Sequence, residues 1–271
     1  MSAEPLLPHL AALRARIAGA DHILTALDYD GTLAPIAETP EEAAVPPETA
    51  AVVRELASGS HATVAIVSGR SVADLRLRMA EPNLILAGNH GLEIEGPGIS
   101  FVHPGAWELR DQVDFACWDL EAALESLPGV RMERKGLTAT VHYRQMPKDL
   151  AGWIDATVLA VTRPYRSRLI VKRALKAWEI RPRVQWNKGS AIRFLLRWMR
   201  APRPLLICAG DDAADEDMYG VMGDAISIRI GTCVSTLARY SAGGPEELGR
   251  FLAVLREDCA KASVIAAPGR G

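Results

Sequence analysis

The sequence lacks the features that mark disulfide-stabilised and membrane proteins. Its four cysteines are widely separated and form no CxxC pair, which is typical of free thiols in a reducing compartment. No run approaches the ~18 consecutive apolar residues of a membrane-spanning helix, and the N-terminus has no apolar signal core. We therefore expect a cytoplasmic protein with no membrane partner.

An excess of positive charge is also absent. Lysine and arginine total 31 against 33 acidic residues, so the formal net charge is −2. No basic cluster with interleaved aromatic side chains occurs, which predicts that nucleic acid is not a partner. Apolar residues, in contrast, make up 49% of the 271 positions, enough for one large core or two smaller ones.

Short apolar runs alternate with helical spacing at both ends of the sequence. This rhythm predicts an α/β fold, a parallel sheet joined by crossover helices. The predicted strands are Ile23–Leu27, Ala62–Val67, Leu84–Ala87, Pro204–Ala209 and Ala225–Ile230. The predicted helices are Pro47–Ala57, Ser71–Met79 with Ser71 as its N-cap, Lys188–Arg200, and one after Asp215.

The middle of the sequence has a different pattern. A long helix is predicted over Trp107–Leu127 and a second over Lys148–Thr162, each followed or preceded by alternating residues typical of antiparallel strands. Helices segregated from antiparallel strands indicate an α+β module inserted into the parallel-sheet domain. We expect residues 1–103 and 184–271 to form the core domain and residues 104–183 to form the inserted cap domain.

One segment of the core, ILTALDYDGTLAPI, places two acids directly after a buried strand. Asp28 and Asp30 follow this strand, and Gly31 opens a loop. Acids at the end of a hydrophobic strand are costly to bury unless a cation or a reaction uses them. Residues two apart on a strand share a face, so both carboxylates could point at one small volume that holds a divalent metal.

Three further groups of polar residues fall at the ends of predicted strands or helices. Taken singly, each has an ordinary explanation as a turn, a solvated lysine or an exposed helix N-terminus. Together they predict a site, because ligands of open α/β sheets bind beyond the carboxyl ends of the strands. The groups are Ser68, Gly69 and Arg70, then Lys188, and finally Gly210, Asp211, Asp212 and Asp215.

These side chains suit phosphoryl transfer through an aspartyl-phosphate. Asp28 is the candidate nucleophile, and Asp30 is the candidate general acid and base. Magnesium is the expected cofactor, bound by Asp28, the backbone carbonyl of Asp30, and Asp211. The expected supporting residues are Thr32, Ser68 and Gly69 on the phosphate, Lys188 for charge neutralisation, and Asp212 and Asp215 behind the metal.

The motifs DYDGT, VSGR, NKG and GDDAADED resemble the four signatures of the haloacid dehalogenase superfamily of phosphohydrolases. Within it, AGNHGLE, MERKGLTATVHYR, WEIRP and GDDAADEDMY resemble the trehalose-6-phosphate phosphatases, in register from about residue 22 to 256. The resemblance implies a Rossmann-like core with a mobile α+β cap that closes over the sugar. It departs at Ala214, where the family usually has threonine.

The resemblance also implies which residues bind the sugar. In the cap these are Glu133, Lys135 and Glu179 for the distal glucose, and Arg144 for the phosphate or the sugar. In the core they are Arg70, Asn89 and His90. From the residues alone, Glu133 and Lys135 also fit an exposed cross-strand pair, and His90 could simply orient its loop.

The activity that the resemblance implies is magnesium-dependent hydrolysis of trehalose 6-phosphate. No synthase-like domain precedes the phosphatase motifs, so we expect hydrolysis without synthesis, by a monomer that could be functionally coupled to a synthase. Two alternatives stay open. The substrate could be sucrose 6-phosphate, mannosyl-phosphoglycerate or a hexose phosphate, or the chain could be an inactive sensor of sugar phosphate.

Overall fold

A computed structural model describes residues 3–147, 150–174 and 176–265. These residues fall into two compact units. The core unit is formed by the described residues of Met1–Ser100 and Trp186–Gly271, and the inserted unit by those of Phe101–Gln185.

The strands and helices are numbered in chain order. The described strands are β1 (Glu4–Pro5), β2 (His22–Leu27), β3 (Ala62–Val67), β4 (Ile85–Gly88), β5 (Glu93–Gly96), β6 (Ile99–Val102), β7 (Arg131–Arg134), β8 (Ala139–His142), β9 (Leu169–Ala174), β10 (Ala177–Pro182), β11 (Pro204–Gly210), β12 (Ile226–Ile230) and β13 (Tyr240–Ala242). The described helices are α1 (Leu10–Ala18), α2 (Pro47–Ser58), α3 (Val72–Met79), α4 (Pro104–Glu108), α5 (Arg110–Leu124), α6 (Ala151–Thr162), α7 (Lys188–Met199), α8 (Glu216–Tyr219) and α9 (Pro245–Ile265).

The first sheet has the strand order β1-β13-β12-β11-β2-β3-β4-β5-β6. From β1 to β4 all neighbouring strands are parallel, and β5 then pairs with β4 in the antiparallel direction. Leu27, the last residue of β2, is paired with Ala209 of β11 on one side and with Ile66 of β3 on the other. The carboxyl ends of the three central strands therefore lie side by side.

The central strand β2 is buried on both faces, since residues 23–27 are all fully inaccessible to solvent. Such burial is typical of a parallel sheet covered by helices. On one face Ile23 and Leu27 share an apolar cluster with residues of several helices, among them Leu13 of α1, Val53 of α2 and Phe251 of α9. This architecture confirms the predicted α/β class.

The inserted unit contains a second sheet with the order β7-β8-β10-β9, in which all neighbours are antiparallel. Helices α5 and α6 supply Leu120, Ile154 and Val158 to the apolar cluster of this unit, and β8 and β10 supply Val141 and Ile180. Because side chains alternate along a strand, the residues next to Val141 and Ile180 in sequence point to the opposite face of the sheet. Helices and an antiparallel sheet thus make up this unit, which is the predicted α+β composition.

The single long helix predicted over Trp107–Leu127 is wrong in detail. The chain forms α4 and α5 instead, and Leu109 between them has φ −96° and ψ 2°, outside the helical region. Helix α5 ends at Leu124, four residues before Pro128, because the proline ring would clash with the Leu124 carbonyl in a continuing helix. The second predicted helix begins at Ala151, and its first predicted residues, 148 and 149, lie outside the described residues.

Several elements of the core unit were not predicted. They include α1, the extension of the sheet by β5 and β6, strand β13 and the 21-residue helix α9. The helix expected after Asp215 is the four-residue α8. Within the described part of the chain, no helix combines the length and the apolar character that a membrane span requires.

Candidate active site

The candidate site lies in the core unit, at the carboxyl ends of three neighbouring parallel strands. Asp28 follows β2, Ser68 follows β3 and Asp211 follows β11. The N–H of Asp28 donates to the carbonyl oxygen of Ala209 at 3.0 Å, which ties the first loop to the neighbouring strand. The sheet thus brings together three segments that are far apart in the sequence, as the pattern of strand ends predicts.

At the centre of the site, the Lys188 ammonium lies between two carboxylates. Nζ donates to Oδ1 of Asp28 and to Oδ1 of Asp215, each at 2.6 Å. All three residues are 5% exposed or less. Lys188 is the first residue of α7, where the helix dipole disfavours a cation. The two acids offset this cost, and Asn187 caps the helix by accepting from the Ser190 N–H at 2.8 Å.

The burial of these charges shifts their pKa values. Burial alone would lower the pKa of Lys188, but the charges of Asp215 and Asp28 outweigh it and raise the pKa above the ordinary value. Burial raises the pKa of Asp28 well above the usual range, although Lys188 opposes this shift. A second cation beside Asp28 would favour its charged form.

A group of three carboxylates could ligate such a cation. Asp28, Asp211 and Asp215 each offer one oxygen, and these oxygens lie within 4.8 Å of one another. Burial, together with the charges of Asp215 and Asp212, raises the pKa of Asp211 to about 7. Since Lys188 alone does not balance these acids, and since all the donors are hard oxygen atoms, the cluster fits a divalent metal ion.

Asp215 has the contacts expected of a supporting acid. Besides Lys188, it holds the loop after β11, because its Oδ2 accepts from the N–H groups of Asp211 at 2.9 Å and Asp212 at 3.0 Å. Asp212 in turn accepts from the N–H of Ala214 through Oδ1 at 2.6 Å. The turn is therefore closed without the hydroxyl that the family usually has at position 214.

Two glycines allow the loops to approach so closely. Gly31 has φ +79°, and a Cβ at this position would overlap the carboxylate of Asp211. A Cβ at Gly210 would likewise overlap the carboxylate of Asp215. Thr32, expected to bind phosphate, is fully buried with its Oγ1 3.5 Å from Asp211 Oδ1. The glycines of both acidic motifs are thus required by the packing of the acids.

The loop after β3 is equally compact. Ser68 is buried and accepts from the Arg70 N–H through its hydroxyl at 3.2 Å. Gly69 lies against the ring of His90, since a Cβ there would come within 2.9 Å of it. Asn89 and His90 both have positive φ, 50° and 59°, and both are buried. This strained turn places His90 beside the Ser68–Gly69 loop.

Asp30 interacts with a different cation from Asp28. Arg70 forms a bidentate ion pair with it, with Nε donating to Oδ2 at 2.7 Å and Nη2 donating to Oδ1 at 2.6 Å. Among the described residues, the group of carboxylates that could hold a metal contains Asp215 and does not contain Asp30. The Asp30 carboxylate is therefore paired with Arg70, whereas the Asp28 carboxylate is paired with Lys188. Arg70, expected at the sugar, has its guanidinium committed to this pair.

In the inserted unit, two residues expected to bind the sugar share a polar cluster. Glu133 of β7 hydrogen-bonds through Oε2 to Nε2 of His142 on β8 at 2.6 Å. Lys135 follows β7, and its Nζ lies 3.6 Å from the same oxygen. Glu133 is paired across the strands with Thr140, so Glu133 and Lys135 are not a cross-strand pair. Burial opposes ionisation, but the hydrogen bond from His142 and the charge of Lys135 lower the pKa of Glu133 to about 2.

The remaining expected sugar ligands of this unit lie on β10 and after β8. Glu179 forms an ion pair with Arg181, two residues further along the same strand. Arg144 is exposed in the turn after β8. His142 and Arg181 were not predicted as site residues from the sequence. The two-residue spacing of Glu179 and Arg181 was an available signal, whereas the contact of His142 depends on the register between two strands.

A haloacid dehalogenase-like hydrolase from Bacteroides thetaiotaomicron shares this fold, with a TM-score of 0.62 at 15% identity over 87% of this chain and 99% of that protein. The sequence model of the trehalose-phosphatase family matches residues 26–244. This chain belongs to that family.

Individual relatives agree with this assignment. Trehalose 6-phosphate phosphatase RA3 of Zea mays is 34% identical over 267 residues, covering 90% of this chain and 71% of the maize protein. The trehalose-phosphate phosphatase of Mycobacterium marinum is 34% identical over 200 residues, covering 72% of this chain and 50% of that protein. The chain thus spans half the length of the mycobacterial relative.

A solved structure shares the fold. The C-terminal domain of the Candida albicans trehalose-6-phosphate phosphatase superposes with a TM-score of 0.79 at 22% identity. The match covers 94% of this chain and 99% of the Candida domain.

We predict that Lys188→Met destabilises the folded protein by about 3–5 kcal/mol, because it leaves two buried carboxylates without their cation. Lys172→Met removes an exposed lysine and serves as the matched control, with an expected change within about 0.5 kcal/mol. Urea denaturation at neutral pH measures both. Equal midpoints for the two variants would contradict the central role given to Lys188.

The depressed pKa of Glu133 predicts a pH dependence of stability. A carboxylate whose pKa falls on folding stabilises the folded state above its ordinary value of 4.5, and this contribution is lost as the pH falls towards about 2. Glu133→Gln cannot titrate, so the difference in melting temperature between wild type and variant should shrink between pH 6 and pH 3. The exposed acid Glu125, replaced by Gln, is the control. A difference that stays constant with pH would refute the assignment.

Proposed function

We propose that this chain is a magnesium-dependent phosphatase that hydrolyses trehalose 6-phosphate to trehalose and phosphate through an aspartyl-phosphate. The observation that carries the proposal is the buried group of Asp28, Lys188 and Asp215, with the partly buried Asp211 beside it, at the edge of the sheet in a member of the trehalose-phosphatase family. Buried acids held by one lysine are costly for stability, and their presence points to chemistry.

In the first step, a carboxylate oxygen of Asp28 attacks phosphorus, and the bond from phosphorus to the sugar oxygen breaks. Asp30 donates a proton to the departing oxygen, so that trehalose leaves as a neutral alcohol. Lys188 neutralises charge on Asp28 and on the transferring group, since its Nζ lies 2.6 Å from the Asp28 oxygen. Thr32, Ser68 and the backbone at Gly69 hold the phosphate oxygens.

In the second step, a water molecule attacks the phosphorus of the aspartyl-phosphate. Asp30, now deprotonated, takes a proton from this water, and the bond between phosphorus and the Asp28 oxygen breaks. Phosphate leaves, and both acids return to their starting states. The same residue therefore serves as acid in one step and as base in the next.

Asp28 and Asp211, with the backbone carbonyl of Asp30, would hold magnesium. When bound, the metal supplies positive charge that offsets the developing charge of the transferred phosphoryl group. Asp215 and Asp212 shape the loop that carries Asp211, because Asp215 accepts from the N–H groups of both neighbours. The role of these two acids is to position Asp211 and Lys188.

We assign recognition of the sugar to Glu133, Lys135 and Glu179 of the inserted unit, with Arg144, Asn89 and His90 as further contacts. Buried or half-buried charged groups discriminate well between sugars, because a wrong ligand leaves them unpaired. Glu133 is held ionised by His142 and Lys135, which suits a carboxylate that accepts hydrogen bonds from sugar hydroxyls.

The cysteines at 117, 208, 233 and 259 are all free thiols, in keeping with the reducing conditions of the cytoplasm. We propose that the chain acts there as a monomer, on a sugar phosphate supplied by a separate synthase reaction.

A panel of sugar phosphates tests the substrate, by phosphate release from the 6-phosphates of trehalose, sucrose and glucose and from mannosyl-phosphoglycerate. We expect kcat/KM for trehalose 6-phosphate to exceed the others by about 10²-fold or more, because the polar side chains are built for one set of hydroxyls. A chelator should abolish turnover and added Mg²⁺ should restore it. Faster turnover of another ester would change the substrate, and binding without phosphate release would make the chain a sensor.

Replacing Asp28 with asparagine tests the covalent mechanism. The variant keeps the shape of the side chain but loses the nucleophile, so we expect kcat to fall by about 10³-fold or more. Asp111→Asn removes an exposed acid of α5 and should leave kcat unchanged. Transient labelling of wild type, and not of the variant, with ³²P-labelled substrate should accompany the loss. Turnover of the Asp28 variant near that of wild type would exclude the aspartyl-phosphate.

A further inference from the structure

Arg70 lies outside the Lys188 cluster and is a buried cation, with only 5% of its side chain exposed. Its guanidinium donates to both oxygens of Asp30, to Oδ2 of Asp74 at 2.6 Å and to the carbonyl of Pro40 at 2.8 Å. The guanidinium carbon also lies 5.1 Å from the centre of the Tyr29 ring. Its N–H groups therefore donate to other groups of the protein, whereas a residue that binds sugar must donate to the substrate.

The ion pair with Arg70 fixes the orientation of the Asp30 carboxylate. Two parallel N–H···O bonds of 2.6 and 2.7 Å set both the position and the plane of the carboxylate. The backbone of Asp30 is fixed as well, through a β-bridge to Ala34 and a hydrogen bond from the Gly31 N–H to the Ala34 carbonyl at 2.8 Å. Asp30 is therefore held from two directions.

The two partners differ in exposure. The Asp30 side chain is 44% exposed, whereas the Arg70 side chain is 5% exposed. A carboxylate has about four lone-pair positions, of which a bidentate arginine uses two. The lone pairs on the outer side of Asp30 stay open to a proton or a ligand, while the inner side is anchored.

Arg70 is itself anchored by neighbours that do not touch Asp30. Asp74 accepts from Arg70 and also from Nε of Arg78 at 2.8 Å. Arg78 in turn donates to the carbonyl of Ala43 at 3.0 Å. Burial opposes the shift, but the hydrogen bonds from Arg78 and Arg70 lower the pKa of Asp74. The arrangement is a rigid support behind one acid of the DYDGT motif.

We propose that Arg70 is a positioning residue that aims the Asp30 carboxylate at the leaving oxygen, and that it is not a ligand of the sugar. This inference rests on the proposed function, in which Asp30 protonates the departing sugar. Arg70 then matters for esters whose leaving group needs that proton. It matters little for an ester whose leaving group departs as an anion.

The test compares two leaving groups in a single turnover. Trehalose 6-phosphate releases a poorly acidic alcohol and needs general acid catalysis, whereas p-nitrophenyl phosphate releases a stable phenolate. For Arg70→Lys, which cannot form the bidentate pair, we expect the rate of sugar release to fall by about 10²-fold, the lower end of a general-acid contribution. Release of p-nitrophenol in the first turnover should change less than about threefold, and KM for the sugar phosphate should stay unchanged.

Three other variants make the result interpretable. Asp30→Asn should show the same difference between the two esters; if it shows none, the acid role in the proposed function fails, whatever Arg70 does. Arg76→Lys changes an arginine of the following helix, α3, that pairs with Glu95, and it should leave both rates unchanged. If Arg70→Lys does not fold, Asp74→Asn loosens Arg70 from its other side and should give a smaller difference of the same kind.

Two outcomes would overturn the inference while Asp30→Asn behaves as expected. A raised KM for the sugar phosphate with unchanged kcat would make Arg70 a sugar ligand. Equal losses with both esters would make it a structural residue with no particular bearing on Asp30.

Discussion

The ion pairs of Lys188 are the interaction on which the rest of the site depends. Nζ joins Asp28, which lies 160 residues away in the chain, to Asp215, 27 residues away, in a region from which water is excluded. Charges buried in this way are tolerated only when all partners are present. The register of β2 against β11 must therefore be kept, and the glycines at 31 and 210 must stay small enough for the acids to meet.

Two acids separated by a single residue serve two different cations. Asp28 is held by Lys188 in the interior, and Asp30 is held by Arg70 with its outer side open to solvent. This division suits a reaction in which one carboxylate attacks phosphorus and the other moves a proton. A nucleophile benefits from desolvation and a fixed counter-charge, whereas a proton carrier needs an accessible lone pair.

In the inserted unit, too, acidic side chains are held by basic neighbours, here on one face of an antiparallel sheet. Its buried face carries apolar residues such as Val141 and Ile180, and polar side chains occupy the alternate positions of the same strands. On that side Glu133 is supported by His142, and Glu179 by Arg181. Each acid thus has a basic neighbour that fixes its direction, which lowers the entropy lost when a polar ligand binds.

The sequence predicted the parallel sheet and much of the candidate site. The alternation of apolar runs and helical stretches predicted the parallel sheet, and polar residues at the strand ends predicted that Asp28, Ser68, Lys188 and Asp211 share one site. The break at Leu109 and the partner of Asp30 were decided only by the tertiary structure. Local patterns report burial and strand ends, whereas the choice of partner for a charged side chain depends on rotamers and on residues brought close by the fold. Arg70 could be placed beside Asp30 only once both loops were seen together.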